Sequence, residues 1–263
     1  MLREFRARLA GSLLLAIGLF STTASAQEDA PVVAAAANLQ FAIEEIAKSF
    51  AADTGKEVRL SMGSTGNIAR QIRQGAPFEL FLAADEKTLL DLAADGLTRD
   101  EGTVYAVGRI VAITPNGSKL AADGSLGSLK EALAGGTLGR FAIANPEHAP
   151  FGVAAREALT HEGLWDAIQP HIVLGENVSQ ATQFALSGNT DGGIIAYSLA
   201  LAPSNRERGT FELVPEEWHE PLRQRMALLK NAGPVAEAFY EYMDQPTARE
   251  ILERYGFAPP KGQ

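Results

Sequence analysis

Four short segments of the sequence each follow an apolar strand pattern and precede a helix pattern. They are residues 37–39, 63–66, 150–152 and 177–179. A helix N-terminus carries unpaired backbone N–H groups and a partial positive charge, so each segment offers hydrogen-bond donors to an anion. The side chains of Asn38, Ser64 and Thr65 add further donors. Because none of the four segments contains Lys or Arg, this composition favours an anion held by neutral hydrogen bonds.

A single turn of this kind would not indicate a binding site, because Asn and Ser are also the residues that commonly cap helices. The inference depends on all four turns together. In parallel α/β sheets, ligands bind outside the carboxyl ends of the strands, at the point where the strand order reverses. We therefore expect the four turns to meet at one site.

The elements that must position these turns follow an alternating pattern of strands and helices, which predicts α/β architecture. The predicted strands cover residues 32–37, 58–62, 78–84, 105–114, 140–144, 171–174, 192–197, 211–214 and 225–229. Helix patterns separate most of these strands, and two further helices are predicted between residues 235 and 255. Residues 105–114 are predicted as one long strand that ends at Pro115.

Five segments, spread over nearly the whole chain, carry a resemblance to one known family. They are Ala34–Leu39, Gly63–Ile72, Gly75–Asp85, Asn145–Gly152 and Arg254–Phe257. In the same order along the chain, these segments resemble the periplasmic molybdate-binding proteins of ABC transporters, the ModA family. With Asn at position 38, the chain resembles the branch of that family that has Asn in the first ligand turn.

The resemblance implies a fold and a function. The fold would be a two-lobed periplasmic binding protein of type II, in which each lobe is a mostly parallel sheet flanked by helices. The ligand would lie in the cleft between the lobes. Lobe 1 would be discontinuous, with residues 27–107 and 214–263, and lobe 2 would cover residues 108–213. The protein would capture molybdate or tungstate and deliver it to an ABC importer through a permease in the inner membrane.

The resemblance also implies the contacts to the oxyanion. Asn38 and Thr65 would donate from lobe 1 with help from Ser64, and Phe151 and Val178 would donate backbone N–H groups from lobe 2. Whether Asn38 donates through its side chain, its backbone or both stays open. The metal atom of the anion would be held only through its oxygens, without direct protein ligands. No cofactor is implied beyond this bound ligand.

Two positions depart from the family pattern. Many members have Ser at the position of Asn38, and many have, at the position of Ala196, a Tyr whose hydroxyl reaches the anion. Here Tyr197 follows one residue later, and a shift of one residue along a strand turns a side chain to the opposite face. We therefore expect Tyr197 to be a packing residue. The full hydrogen-bond set and the preference between molybdate and tungstate stay open.

The N-terminus predicts export. Arg3, Arg6 and Arg8 precede a short apolar run over residues 9–20, and Ala24 and Ala26 offer a cleavage site, which is the layout of a signal peptide over residues 1–26. The chain has no Cys, which excludes disulfides and a lipidated Cys anchor. The net charge of −9 disfavours nucleic acid and anionic membranes as partners. We expect a soluble, monomeric periplasmic protein.

Two other classes of function were weighed against molybdate binding. A binding protein for sulfate, thiosulfate or a small organic anion is the alternative, and an organic carboxylate would call for a cleft Arg, for which Arg70 is the nearest candidate. An enzyme is not expected, because no acid/base pair, nucleophile elbow, phosphate-binding loop or metal spacing is found. His148, beside the predicted site, would sense protonation or, as we expect, hold its loop.

Overall fold

The computed structural model describes residues 30–260. The signal peptide predicted over residues 1–26 lies outside this range. Within it, no helix has both the length and the apolar character needed to cross a membrane. The ten strands of the described chain are β1 (Val32–Ala36), β2 (Arg59–Gly63), β3 (Phe78–Leu82), β4 (Thr103–Gly108), β5 (Ile110–Pro115), β6 (Phe141–Ala144), β7 (Ile172–Gly175), β8 (Gly192–Ala196), β9 (Gly209–Leu213) and β10 (Leu222–Leu228).

These strands form two five-stranded sheets, with the orders β2-β1-β3-β10-β4 and β7-β6-β8-β5-β9. In the first sheet β1 is parallel to β2 and β3, whereas β10 is antiparallel to β3 and β4. In the second sheet β6 is parallel to β7 and β8, whereas β5 is antiparallel to β8 and β9. Each sheet is therefore mostly parallel with a single reversed strand, which confirms the predicted α/β class.

Helices follow most of the strands and cover the sheets. They are α1 (Gln40–Thr54), α2 (Thr65–Arg73), α3 (Glu86–Ala94), α4 (Gly127–Ala134), α5 (Pro150–His161), α6 (Trp165–Ile168), α7 (Val178–Ala185), α8 (Tyr197–Ala200), α9 (Pro203–Arg206), α10 (Pro234–Tyr242) and α11 (Pro246–Arg254). Three short 3-10 helices cover Ala37–Leu39, Gln169–His171 and Glu216–Trp218. Residue Gly55 ends α1 in the left-handed conformation, with a φ of 71°, which glycine adopts without strain.

The chain passes between the two sheets twice, at Arg109 between β4 and β5, and through residues 214–221 between β9 and β10. We call the part built on the first sheet lobe 1 and the part built on the second sheet lobe 2. The prediction of one continuous strand over residues 105–114 is wrong, because β4 and β5 belong to different sheets. Both strands are apolar, so the hydropathy pattern does not reveal where the backbone leaves one sheet for the other.

The core of lobe 1 lies on both faces of its sheet. Along β1, Val33 and Ala35 pack into a cluster with α1, α10 and α11, whereas Ala34 packs into a second cluster with α2 and α3. This alternation is the period of two that a strand imposes on its side chains. Since β1 is buried on both faces, it has the continuous apolar run that is typical of a central parallel strand.

The core of lobe 2 extends across the boundary between the lobes. Its cluster contains the lobe 2 strands and helices, and also Ala36, Ala37 and Ala84 of lobe 1. Ala36 is the last residue of β1, and Ala37 and Ala84 follow β1 and β3, so all three lie at the carboxyl ends of parallel strands. The two lobes are therefore in contact at the edge where the sequence analysis placed the binding turns.

Candidate anion-binding site

All five residues predicted to contact the anion surround one small space between the lobes. The space measures about 190 Å³, including its opening to solvent. It is lined by Ala36, Ala37, Asn38, Gly63, Ser64, Thr65, Ala84, Ala149, Pro150, Phe151, Asn177 and Val178. None of these lining residues of the described chain has an ionisable side chain. The local electrostatics are therefore set by hydrogen-bond dipoles and helix N-termini.

Asn38 lies in the 3-10 turn after β1 and is only 1% exposed. Its Nδ2 donates to Gln224 Oε1 at 3.0 Å, and the same oxygen accepts from the Tyr105 hydroxyl at 2.8 Å. The carbonyl of Asn38 accepts from Ser198 Oγ of lobe 2, also at 2.8 Å. The side chain of Asn38 is thus held by lobe 1 and its backbone by lobe 2.

Ser64 and Thr65 are the N-cap and the first residue of α2. Thr65, which is 1% exposed, accepts the backbone N–H of Ala84 at Oγ1, at 3.0 Å. A hydroxyl that accepts one hydrogen bond still has its own hydrogen to donate. The Ser64 side chain caps no backbone N–H of α2, and instead Ser64 Oγ shares a hydrogen bond with His148 Nδ1 at 3.0 Å. Both hydroxyls are therefore fixed in place beside the space.

Phe151 and Val178 bring backbone groups of lobe 2 to the space. Phe151 is the second residue of α5 and Val178 is the first residue of α7. Backbone N–H groups in the first turn of an α-helix have no carbonyl acceptor within that helix, so they are free to bind a ligand. The side chain of Asn177 accepts from the backbone N–H of Gln180 at 3.0 Å and fixes the start of α7.

Hydrogen bonds between the lobes hold the site closed. The backbone N–H of Gly66 in α2 donates to the carbonyl of His148 at 2.9 Å. Ser179 Oγ in α7 donates to Gln40 Oε1 in α1 at 2.7 Å. The two contacts join elements whose N-terminal turns line the space, so closure of the lobes and assembly of the site are one event.

His148 lies at the edge of the site, between the lobes. In addition to its bond with Ser64, its Nε2 lies 3.7 Å from Glu176 Oε2, and Glu176 Oε1 accepts from Asn67 Nδ2 of α2. The loop that carries His148 is thus attached to lobe 1 directly at two points, Ser64 and Gly66, and indirectly through Glu176 of lobe 2, which accepts from Asn67. This geometry agrees with the expected role of His148 in holding its loop.

Two residues that the sequence analysis weighed for the site lie elsewhere. Tyr197 packs against Phe211 with ring centroids 6.0 Å apart, and a Cβ added at Gly256 would lie 2.6 Å from its ring. Tyr197 is therefore a packing residue, as predicted. The exposed Arg70 donates to Asn67 Oδ1 and does not line the space.

Sequence reasoning missed three residues that support the site, namely Tyr105, Ser198 and Gln224. Gln224 is 0% exposed and sits between Leu222 and Met226 on the buried face of β10. A polar residue in an inward position of a strand was a signal that its side chain has a buried partner. The identity of that partner follows only from the fold, since Asn38 and Gln224 are 186 residues apart.

A wider cavity of about 1000 Å³, including its opening, lies beside the site between α3 and α5. Its ionisable lining is mainly acidic and comprises Asp85, Lys87, Glu147, His148, Glu157 and Glu220. Burial raises the pKa of the Asp85 carboxyl above its ordinary value, although hydrogen bonds from Thr88 oppose this shift. Within residues 30–260, no three His, Cys, Asp or Glu side chains are grouped so as to hold a metal ion.

Comparison with known proteins supports a single family. Residues 31–258 match the family described as bacterial extracellular solute-binding protein. The molybdate-binding protein ModA of Azotobacter vinelandii is 34% identical over 253 residues, which cover 93% of this chain and 96% of the relative. ModA of Escherichia coli is 34% identical over 238 residues, covering 89% of this chain and 91% of the relative.

A solved structure gives the same result. The periplasmic molybdate-binding protein of Azotobacter vinelandii superimposes with a TM-score of 0.79 and 31% identity, over 88% of this chain and 100% of that chain. Two mostly parallel sheets around an interlobe site define a periplasmic binding protein of type II. Within that class, the chain belongs to the family of the molybdate-binding protein ModA.

Proposed function

We propose that this chain binds molybdate or tungstate in the space between its lobes and delivers the anion to an ABC importer. The observation that carries the proposal is the convergence of five residues from four turns on a space without ionisable side chains. These residues are Asn38, Ser64, Thr65, Phe151 and Val178. The relatives named above as molybdate-binding proteins match nearly the whole chain, which supports the same ligand.

Each lobe would contribute part of the hydrogen-bond shell of a tetrahedral anion. Lobe 1 provides the hydroxyls of Ser64 and Thr65, while Phe151 and Val178 provide backbone N–H groups from lobe 2. Because the anion contacts both lobes, it binds the closed form more tightly than the open form and shifts the population toward closure. The permease then recognises the closed form.

The charge of the anion would be balanced by dipoles rather than by a cation. The N-termini of α2, α5 and α7 meet at the space, and each N-terminus carries a partial positive charge of about half a unit. A protonated anion such as hydrogen phosphate would in addition need an acceptor for its proton. The described lining offers no carboxylate, which favours a fully deprotonated oxyanion.

The proposal includes a cellular setting. The protein would act in the periplasm after removal of residues 1–26, as a monomer, without a cofactor and without catalytic turnover. Relatives that are named as binding proteins, one of them periplasmic, support this setting.

The test is isothermal calorimetry on the mature protein after removal of bound anion. Molybdate, tungstate, sulfate and phosphate are titrated separately. We expect one-to-one binding of molybdate and tungstate, with sulfate at least about a hundredfold weaker, a difference of roughly 3 kcal/mol. Tight binding of sulfate or thiosulfate with no heat from molybdate would replace the proposal with the alternative anion class.

The variant Asn38→Ala links the binding to this site. We expect its affinity for molybdate to fall by about tenfold or more, because one buried hydrogen-bonding side chain is lost. Asn189→Ala is the matched control, since Asn189 is an exposed residue in a loop of lobe 2 away from the space. Equal affinity of the two variants would place the anion elsewhere.

A further inference from the structure

Two buried amide atoms next to the site have no hydrogen-bond partner among the described residues. They are Asn38 Oδ1 and Gln224 Nε2. The opposite ends of the same two amides face each other, with Asn38 Nδ2 donating to Gln224 Oε1. A buried polar atom without a partner costs free energy, so this arrangement leaves one unsatisfied acceptor and one unsatisfied donor.

The orientation of Asn38 also matters for the ligand. Its amide nitrogen is turned to Gln224, which leaves the amide oxygen as the end available to the space that Asn38 lines. An amide oxygen carries a partial negative charge and no hydrogen to donate. An oxyanion beside it would be repelled rather than bound.

Turning both amides by half a turn removes the repulsion at Asn38 without moving the backbone, while Gln224 Oε1 replaces Nε2 as the amide atom without a partner. The nitrogen and oxygen of each amide exchange places, so Gln224 Nε2 then lies about 3 Å from Asn38 Oδ1 and donates to it. The second hydrogen of Gln224 Nε2 points to the Tyr105 oxygen, and the Tyr105 hydroxyl keeps its bond to the carbonyl of Ala83, at 3.2 Å. Asn38 Nδ2 is then free to donate to the anion.

We propose that Gln224 is a positioning residue for the anion: in the bound protein it donates to Asn38 Oδ1 and directs Asn38 Nδ2 into the site. This inference rests on the function proposed above. The anion favours this orientation of the two amides because only this orientation offers it a donor.

The surroundings of Gln224 suit a fixed amide that changes only its orientation. Burial raises the pKa of Tyr105 well above its ordinary value, so the hydroxyl stays protonated and can both donate and accept. A Cβ added at Gly108 would lie 2.6 Å from Gln224 Nε2 and 3.0 Å from Phe151 Cζ. The end of the Gln224 side chain is therefore closely packed against Gly108, and its nitrogen and oxygen can exchange places because the two ends of an amide are nearly equal in size.

The test uses molybdate calorimetry on the full mature protein and two variants of the positioning residue. Gln224→Met keeps the length of the side chain but has no strong donor or acceptor, and we expect its affinity to fall by about tenfold or more. In Gln224→Glu, the ionised carboxylate can only accept hydrogen bonds, whereas the protonated carboxyl can also donate one. The affinity of this variant should therefore depend on pH.

The pH profile separates positioning from simple repulsion. Buried Glu side chains titrate at raised pH, so binding is followed from about pH 9 to about pH 5. At high pH we expect Gln224→Glu to bind more weakly than Gln224→Met. At low pH we expect it to bind more tightly than Gln224→Met, because the protonated carboxyl donates to Asn38 Oδ1. If protonation only removed a repulsive charge, the molybdate affinity of Gln224→Glu at low pH would rise no higher than that of Gln224→Met.

Other outcomes would overturn the inference. Affinity of Gln224→Met equal to that of the wild type, or Gln224→Glu weaker than Gln224→Met at every pH, would show that residue 224 does not direct Asn38. Tyr105→Phe, which removes one hydroxyl, is the second variant if residue 224 does not tolerate substitution, and unchanged affinity there would also count against the inference. Failure of the wild type to bind molybdate would instead reject the proposed function.

Discussion

At the scale of single residues, the Thr65 hydroxyl accepts one hydrogen bond within lobe 1 and, in the function proposed above, donates another to the anion. Its Oγ1 accepts the backbone N–H of Ala84, and its hydrogen is left for the anion. Thr65→Val keeps the shape but leaves the Ala84 N–H unsatisfied, so we expect a loss of about 1–3 kcal/mol in the free energy of unfolding. We also expect molybdate affinity to fall by about tenfold. Urea unfolding and calorimetry measure the two effects.

Thr65→Ser is the matched control for this prediction, because it keeps the hydroxyl and removes only a methyl group. We expect it to retain most of the molybdate affinity. If Thr65→Val bound molybdate as tightly as Thr65→Ser, the hydroxyl would be a structural acceptor and not a ligand donor.

The substitution Gly108→Ala tests whether the space around the Gln224 amide matters for binding. A Cβ at this position would contact the end of Gln224 and the ring of Phe151, both of which belong to the site or support it. We expect Gly108→Ala to weaken molybdate binding by about tenfold, with a stability loss of about 1–3 kcal/mol from overpacking. Gly233→Ala is the control, since its Cβ would approach only a side-chain oxygen of Glu79, at 3.3 Å. Similar affinities in the two variants would argue against this contact.

At the scale of elements, the start of α3 is attached to β10, the strand that carries Gln224. Glu86 pairs with Arg223 at 2.5 Å and with Arg225 at 2.7 Å. Burial alone would raise the pKa of Glu86, but hydrogen bonds and charges from Arg225 and Arg223 outweigh it and hold the pKa below its ordinary value. The ion pairs therefore stabilise the folded protein at neutral pH.

The sign of the pH dependence follows from this lowered pKa. The stabilisation is fully present above the pKa of Glu86 in the unfolded chain and is lost as the pH falls through the pKa in the folded chain. We expect Glu86→Gln to lower the free energy of unfolding by roughly 1 kcal/mol at neutral pH. The difference from the wild type should shrink below about pH 4.

Urea unfolding of the wild type and Glu86→Gln, at neutral pH and below about pH 4, measures this difference in the free energy of unfolding. Lys87→Gln is the control, because the neighbouring Lys87–Asp91 pair lies on the surface, with the Lys87 side chain 84% exposed. Such pairs contribute little to stability. A Glu86→Gln difference that did not change with pH would show that the loss comes from packing and not from the ion pairs.

The elements also show where sequence patterns were sufficient. The turns at Asn38, Ser64 and Val178 were found because the change from strand to helix periodicity is local. The strand pattern alone did not show the break at Arg109, because β4 and β5 are both apolar and both extended; the lobe boundary expected at residues 107/108 came from the family resemblance. A hinge between two strands changes neither periodicity nor hydropathy.

At the scale of the whole molecule, the buried residues that support the site are brought together by contacts between distant parts of the chain. Tyr105 and Gln224 are 119 residues apart, and Asn38 and Ser198 are 160 residues apart. Which buried polar residue meets which partner is decided by the order of the strands and by the approach of the lobes. A local pattern holds neither kind of information, so the residues that line the space were predictable and the buried residues that hydrogen-bond to them were not.

The approach of the lobes is itself open to a test at Gly66. Its N–H donates to the His148 carbonyl of lobe 2, and a Cβ at Gly66 would lie 2.9 Å from that oxygen and 3.1 Å from His148 Cα. These are backbone atoms, so the lobes would have to separate to admit a methyl group. We expect Gly66→Ala to disfavour the closed form and to weaken molybdate binding by about tenfold.

Small-angle X-ray scattering with and without molybdate measures closure directly. We expect the wild type to become more compact when molybdate is added, and Gly66→Ala to do so only at higher molybdate concentration. Gly127→Ala is the control, because Gly127 starts α4 and its Cβ would approach only side-chain oxygens, of Asp123 at 3.1 Å and of Ser125 at 3.5 Å. Full compaction of Gly66→Ala at the wild-type concentration would mean that this backbone contact does not limit closure. Closure would then depend on the anion contacts alone.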